Sequence, residues 1–177
     1  MMRMALLSLS VLLIAVATTL GQDAQSSQRP EIETTYNQAK DVTTVKLPQS
    51  RISEERDRYR SLDYSIFYTY PGREKQIPSH VNFELVAIVK ARKLNTDLYV
   101  VFVIDDERLH FSSNRAAILN PVPGRLWIGE RMDFSIPYES FKKLAGAQHV
   151  TIKMGDTNFD LSEEVLASIR RLAATIQ

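Results

Sequence analysis

The chain lacks cysteine altogether and contains little glycine, proline or tryptophan. Its 177 residues include no Cys, six Gly, seven Pro and one Trp. Without cysteine the protein cannot form a disulfide, an iron–sulfur cluster or a thiolate zinc site. So few glycines and prolines also exclude collagen-like and low-complexity chains. Stability must therefore come from a hydrophobic core, for which 44% hydrophobic residues are sufficient.

An excess of charge of either sign is also missing. The chain has 22 Lys+Arg and 21 Asp+Glu residues. Arg3 is the only charged residue before Gln22, so a chain beginning at Gln22 would carry equal numbers of basic and acidic residues. Non-specific nucleic-acid binding requires a broad basic surface. We therefore expect no nucleic-acid partner.

The first 21 residues have the pattern of a signal peptide. A short positive segment ending at Arg3 precedes an apolar run, and small residues at Ala17 and Gly21 provide two cleavage points. The apolar run is short for a bilayer, which requires about 20 residues, so we predict cleavage and no stable membrane span afterwards. An uncleaved anchor is the alternative. With neither cysteine nor an Asn-x-Ser/Thr sequon, we expect export to a bacterial periplasm or cell surface.

The rest of the chain is predicted to form one domain behind a polar leader. Residues 22–40 have no apolar period and are predicted to be flexible, whereas 41–177 form a single globular β-rich domain. The charged stretch 51–60 is predicted to be a solvated surface segment. Residues 41–47 are rich in β-branched residues, which indicates a first strand, and alternating apolar residues indicate further strands at 62–70, 81–89, 108–113, 126–136 and 150–154.

The C-terminal third changes to a helical period. Pro137 and Gly146 delimit a short predicted helix, and Ser162 caps a longer one with an apolar stripe.

Residues 98–104 are continuously apolar, as in a strand buried on both faces. The order predicts an α+β fold with an antiparallel, sandwich-like β-sheet and one short and one longer C-terminal helix.

Several of these segments resemble a family of exported bacterial α+β proteins that is itself uncharacterised. The resemblance is carried by 136–147 (IPYESFKKLAGA), 150–155 (VTIKMG) and 159–161 (FDL), and by the earlier segments 41–45 (DVTTV) and 68–72 (YTYPG). It spans most of the region that follows the predicted signal peptide. It implies a shared fold and export, and it carries over no activity and no functional residue.

We predict no catalytic, metal-binding or cofactor-binding residue. His110 and His149 fall on the polar phase of their strands, as surface histidines do, and His80 lies in a loop. Residues 156–160 (DTNFD) match the start of a calcium loop but lack its later glycine and glutamate, which favours a hairpin turn. Residues 105–107 (DDE) follow the buried strand, where aspartates typically form local backbone hydrogen bonds.

The tyrosines suggest the one interaction surface that the sequence offers. Tyr64, Tyr68 and Tyr70 share a strand face, and Trp127 lies in a later strand. Tyrosine and tryptophan are frequent interface anchors, but the same rings can pack in a core, and both interpretations stay open. A basic cluster at Lys90, Arg92 and Lys93 is interpreted as solvation of a strand end, with contact to an anionic partner as the alternative.

These observations favour a non-catalytic exported envelope or periplasmic binding module over an enzyme. Its expected partner is an envelope protein, a peptide or a glycan. The alternative is an exported hydrolase with a carboxylate- or metal-based site. A concave pocket that gathers a histidine with Asp105, Asp106 or Asp156 would favour the hydrolase, whereas an open strand edge or a shallow tyrosine-lined face would favour the module.

Overall fold

A computed structural model describes residues 30–56, 59–89, 99–113, 115–119 and 128–176. These residues form two antiparallel sheets and two helices, so the predicted α+β, sandwich-like fold is confirmed. The elements in chain order are β1 Glu33–Asn37, β2 Val42–Arg56, β3 Tyr59–Pro71, β4 His80–Val89, β5 Tyr99–Ile104, β6 Glu107–Ser112, β7 Arg115–Leu119, β8 Ile128–Pro137, α1 Tyr138–Gly146, β9 Val150–Met154, β10 Thr157–Asp160 and α2 Glu163–Ala174.

The larger sheet has the strand order β1-β2-β3-β4-β8-β7, with every neighbouring pair antiparallel. Its central strands form because their apolar residues alternate, which gives each strand one face for a core and one for solvent. In β4, for example, Phe83 and Leu85 are buried, and they pair in register with the buried Phe134 and Met132 of β8.

The smaller sheet has the order β10-β9-β5-β6. Its inner strand β5 is the continuously apolar segment of the sequence. Val100 and Phe102 are buried on one face of β5, and Val101 is buried on the other. On that second face Tyr99 is exposed and Val103 is half-buried, so the prediction of a strand buried on both faces is correct only at the centre of β5.

A cluster of phenylalanine rings joins the two sheets. Phe102 of the smaller sheet lies 5.8 Å from both Phe83 and Phe134 of the larger sheet, measured between ring centroids. Phe111 of β6 also contacts Phe134, and Phe141 of α1 contacts Phe83. Offset and edge-on ring pairs of this kind stabilise a core beyond the area that they bury.

Helix α2 covers the part of the larger sheet that the smaller sheet leaves uncovered. The Ser162 side chain accepts a hydrogen bond from the Val165 amide and so caps the helix as predicted. The apolar stripe of α2 is buried, and the helix contacts β2. The hydroxyl groups of Tyr68 and Thr175 lie 2.9 Å apart, which joins β3 to the residue after the helix. None of the helices in the described ranges has the length and apolar character that crossing a bilayer requires.

The first strands differ from the sequence prediction. Strand β2 does not end near residue 47 but continues to Arg56 through the charged stretch, because pairing with β3 supplies the backbone hydrogen bonds that its pattern does not indicate. Strand β1 lies within the segment predicted as a leader. Its side chains are mostly exposed, so no apolar period marks it.

Candidate functional site

A β-bulge interrupts the pairing of β2 with β3. Leu47 pairs with Ile66 and Ser50 with Tyr64, so Pro48 and Gln49 together face a single residue of β3. A second irregularity follows at residue 52. Bulges bend the strand and turn side chains to new directions, and they are frequent beside binding sites. Proline is tolerated here because a bulge removes the need for its amide in the ladder.

The bent strand and helix α2 enclose a cleft, which we name the bulge cleft. Its volume is about 540 Å³, which lies within the range of roughly 300–1,000 Å³ for small-ligand sites. The lining residues come from β2, β3, α2 and the segment before β1: Pro30, Pro48, Gln49, Ser50, Arg51, Tyr64, Ser162, Glu164, Val165 and Ser168. A recess of about 390 Å³ adjoins it and shares Gln49, Ser50 and Arg51 with it.

Tyr64 lines the bulge cleft, and its hydroxyl group interacts with the side chains of Ser168 and Ser50. Burial raises the pKa of Tyr64, and this effect outweighs the opposing interactions with the Ser168 and Ser50 side chains and with the positive charge of Arg171. The hydroxyl group therefore stays protonated at neutral pH. In that state it can donate one hydrogen bond to a ligand and can also accept.

The charged residues on the recess side of the cleft are paired with each other. Arg51 Nε donates to Asp63 Oδ1 at 3.1 Å, and Gln49 Nε2 donates to Asp63 Oδ2 at 3.3 Å. Asp63 is largely buried beneath them. Its carboxylate is thus held by two neighbours on β2, which fixes the direction of the Gln49 and Arg51 side chains at the cleft rim.

Helix α2 supplies the opposite wall and holds the segment before β1. The Arg171 guanidinium donates from Nη2 to the Pro30 carbonyl oxygen at 3.2 Å and to Ser168 Oγ at 3.1 Å. Ser168 in turn donates to the Glu164 carbonyl oxygen at 3.1 Å. These bonds place the polar side chains of α2 at fixed positions along the cleft.

The predicted tyrosine surface lies in the core. Tyr64, Tyr68 and Tyr70 have exposed fractions of 3%, 1% and 7%, so core packing, the alternative that the sequence left open, describes these positions. Their strand face is the inner face of the larger sheet, where the Tyr68 and Tyr70 rings stack with centroids 6.2 Å apart. Of the three, Tyr64 lines the bulge cleft. Trp127 and the basic cluster at 90–93 lie outside the described residues.

Two of the acidic residues that follow β5, Asp105 and Glu107, are held by neighbouring groups. Asp105 has a positive φ of 43°, and its Oδ1 accepts hydrogen bonds from the Gln148 and His149 amides at 3.1 and 2.8 Å. It therefore joins the β5–β6 turn to the start of β9. Glu107 is bound by Lys143, whose Nζ lies 2.8 Å from its Oε1.

The residues that resemble a calcium loop form a hairpin, as the sequence predicts. Gly155 has a φ of +57°, which favours glycine in the tight turn between β9 and β10. Asp160 accepts a hydrogen bond of 2.7 Å from Thr151 across the hairpin. His80, His110 and His149 lie apart on the surface. Among the residues that the structure describes, no three His, Cys, Asp or Glu side chains are arranged to hold a metal ion.

Three kinds of comparison were made with known proteins, and no family model, curated protein or solved structure matched this chain.

Sequence reasoning did not find the bulge cleft. Its walls come from β2 and α2, which are more than 100 residues apart in the chain, so no local pattern contains the site. One signal was present: Pro48 interrupts a strand-like segment, and a proline within a strand indicates an edge or a bulge.

Proposed function

We propose that the protein is a non-catalytic binding module of the bacterial cell envelope and that the bulge cleft is its ligand site. The observation that carries this proposal is the lining of the cleft. Hydroxyl and amide groups converge on a concave surface; of its two charged lining residues, Arg51 is paired with Asp63, and Glu164 is exposed to solvent. Such a lining favours a ligand without net charge, which forms several hydrogen bonds and leaves no buried charge unpaired.

The chemistry of the cleft supports binding rather than catalysis. A nucleophile or general base needs a deprotonated or activated group. Burial holds Tyr64 in its protonated form instead, and Asp63 is held by Arg51 and Gln49. Neither the bulge cleft nor its recess is lined by a histidine. The hydrolase alternative required a pocket that brings a histidine to Asp105, Asp106 or Asp156, and those residues lie in turns away from the cleft.

The ligand that fits this lining is a short uncharged peptide segment. A peptide backbone presents amide donors and carbonyl acceptors in alternation, which match the Ser50 and Gln49 side chains and the Tyr64 hydroxyl. Pro48 and Val165 add apolar wall for small side chains. The bulge and Pro48 make the cleft too irregular for simple addition of a flat strand.

The test is a thermal-shift screen with uncharged tri- to pentapeptides. The full chain is expressed in an exporting host, so that any N-terminal processing takes place there. A ligand at about 100 times its Kd stabilises by about 2.7 kcal/mol, or roughly 5–10 °C for a domain of this size. Ser50→Leu fills the cleft and should abolish the shift, whereas Ser79→Leu, an equal change in an exposed loop, should preserve it.

A second variant measures the contribution of the cleft hydroxyl group. Tyr64→Phe removes one hydrogen bond of about 0.5–1.5 kcal/mol, so peptide affinity should fall by about two- to twelvefold. The proposal fails if the folded protein binds no peptide of the panel, or if a peptide binds equally well to Ser50→Leu.

A further inference from the structure

The outer face of the smaller sheet carries basic side chains next to an exposed aromatic ring. The register places Val101 of β5 directly between His110 of β6 and Lys153 of β9. Arg108 lies two residues before His110 on the same strand face, and Tyr99 lies two residues before Val101. We name Tyr99, Arg108, His110 and Lys153 the basic face.

The members of the basic face lie close together. Neighbouring strands are about 4.8 Å apart and alternate residues about 7 Å apart along a strand, so the four side chains start within about 10 Å of Val101. Tyr99 is 48% exposed, and its ring centroid lies 6.5 Å from that of His110. A sheet face is nearly flat at this scale, so an extended ligand can contact all four residues at once.

The two cations of the basic face, Arg108 and Lys153, have no ion-pair partner among the residues that the structure describes. The carboxylate that the register places on this face is that of Asp160, at the far strand β10, where it accepts a hydrogen bond from Thr151, and Asp106 lies in the turn two residues before Arg108. In contrast, Arg51, Arg131, Lys142, Lys143 and Arg170 all pair with carboxylates. The positive potential above this sheet is therefore available to a partner.

We propose that the basic face binds an acidic polysaccharide, a site that is independent of the bulge cleft. The charges of Arg108 and Lys153 complement carboxylate or phosphate groups repeated along a sugar chain. The exposed ring of Tyr99 provides a flat apolar surface on which the C–H face of a sugar ring packs. The His110 ring supplies a polar nitrogen beside it, for a sugar hydroxyl group.

An acidic polysaccharide fits the face better than a lipid surface does. Stable membrane association needs several apolar side chains that insert below the headgroups. The apolar residues of this face, Val101 and Val103, lie low between the strands, and Val101 is buried. Among the described residues of this face, Tyr99 is the one large apolar side chain that is exposed. One ring can stack on a sugar but cannot anchor a domain in lipid.

The test measures binding to alginate, a polyuronate, and uses uncharged dextran as the reference polymer. Binding is measured by affinity electrophoresis and by calorimetry. The full chain is expressed in the same exporting host as for the peptide screen. Wild-type protein should bind alginate and not dextran, and the affinity should fall as salt screens the charges. The double variant Arg108→Glu/Lys153→Glu should lose about tenfold or more in affinity. The double variant Lys40→Glu/Lys75→Glu changes the net charge equally, at exposed positions elsewhere, and should change affinity less than about twofold.

Tyr99 variants separate stacking from charge. Tyr99→Ala should weaken alginate binding about fivefold, whereas Tyr99→Phe, which keeps the ring, should retain it. Ser50→Leu should bind alginate normally, because the cleft is a separate site.

Three results would overturn the inference. They are equal losses in the two double variants, equal binding of dextran, and binding of phosphatidylglycerol vesicles with the same dependence on the basic face.

Discussion

Replacing Phe102 with alanine tests whether the two sheets are held together through the phenylalanine cluster. Phe102 is 1% exposed. Its ring centroid lies 5.8 Å from those of Phe83 and Phe134 and 5.7 Å from that of Phe111. Truncation removes ring contacts to both sheets and leaves a cavity at the centre of the sandwich.

The expected loss follows from these contacts. A buried Phe→Ala change destabilises by about 3–5 kcal/mol, which combines the lost transfer free energy with the cavity. Each aromatic pair contributes about 0.5–1.5 kcal/mol beyond burial, so three pairs place Phe102 at the upper end of that range. Since each kcal/mol shifts the Tm by about 2–4 °C for a domain of this size, we expect a fall in Tm of roughly 10–20 °C.

Urea denaturation followed by far-UV circular dichroism measures the free energy of unfolding. Phe102→Leu keeps most of the side-chain volume, so it should lower the free energy of unfolding by less than half as much as Phe102→Ala does. Ile77→Ala removes an apolar side chain that is 68% exposed, and it should change the free energy of unfolding by less than about 0.5 kcal/mol. If Phe102→Ala costs no more than about 1 kcal/mol, the packing of the two sheets through this ring is refuted.

Three further predictions concern the helix cap, a turn and alkaline pH. Ser162→Ala should destabilise by about 1 kcal/mol in urea denaturation, whereas Ser162→Asp, which keeps an acceptor for the Val165 amide, should not. Gly155→Ala places a Cβ at φ +57° and should cost about 1–2 kcal/mol, while Gly146→Ala, without positive φ, should be neutral or stabilising; equal losses would contradict this. Burial raises the pKa of Tyr64 and of Tyr68 in the folded state, so their contribution to stability is complete below pH 10.0 and is lost as the pH rises through the folded values. The double variant Tyr64→Phe/Tyr68→Phe should therefore show a shallower fall in unfolding free energy above pH 10, and an unchanged slope would be evidence against buried, protonated hydroxyl groups.

Sequence patterns predicted best the strands that have one solvent-exposed face and one face in the core. In β4, apolar residues at odd positions from Val81 to Val89 are buried in the structure, as their alternation indicates. The same rule missed β1, whose residues are mostly exposed, and the second half of β2. Those segments form strands because a neighbour supplies hydrogen bonds, and pairing partners are not encoded in local periodicity.

The site was less predictable than the fold, for a related reason. Alternation correctly grouped Tyr64, Tyr68 and Tyr70 on one face, but it could not show whether another layer covers that face. Helix α2 covers that face, and it lies more than 90 residues further along the chain. The bulge cleft depends on the same distant contact, and its formation was signalled locally only by Pro48. The charges of the basic face were visible in the sequence, whereas their common position across three strands depends on the register.

The position of α2 has a consequence for the order in which the protein can fold. During synthesis the strands β1 to β4 of the larger sheet leave the ribosome first, and the helix that covers the β2–β3 part of that sheet follows more than 70 residues after β4. Until residues 163–174 are available, Leu47, Tyr64 and Tyr68 have no covering layer. A chain without α2 would therefore expose an aromatic, aggregation-prone surface, and this part of the core can be completed only once α2 is available.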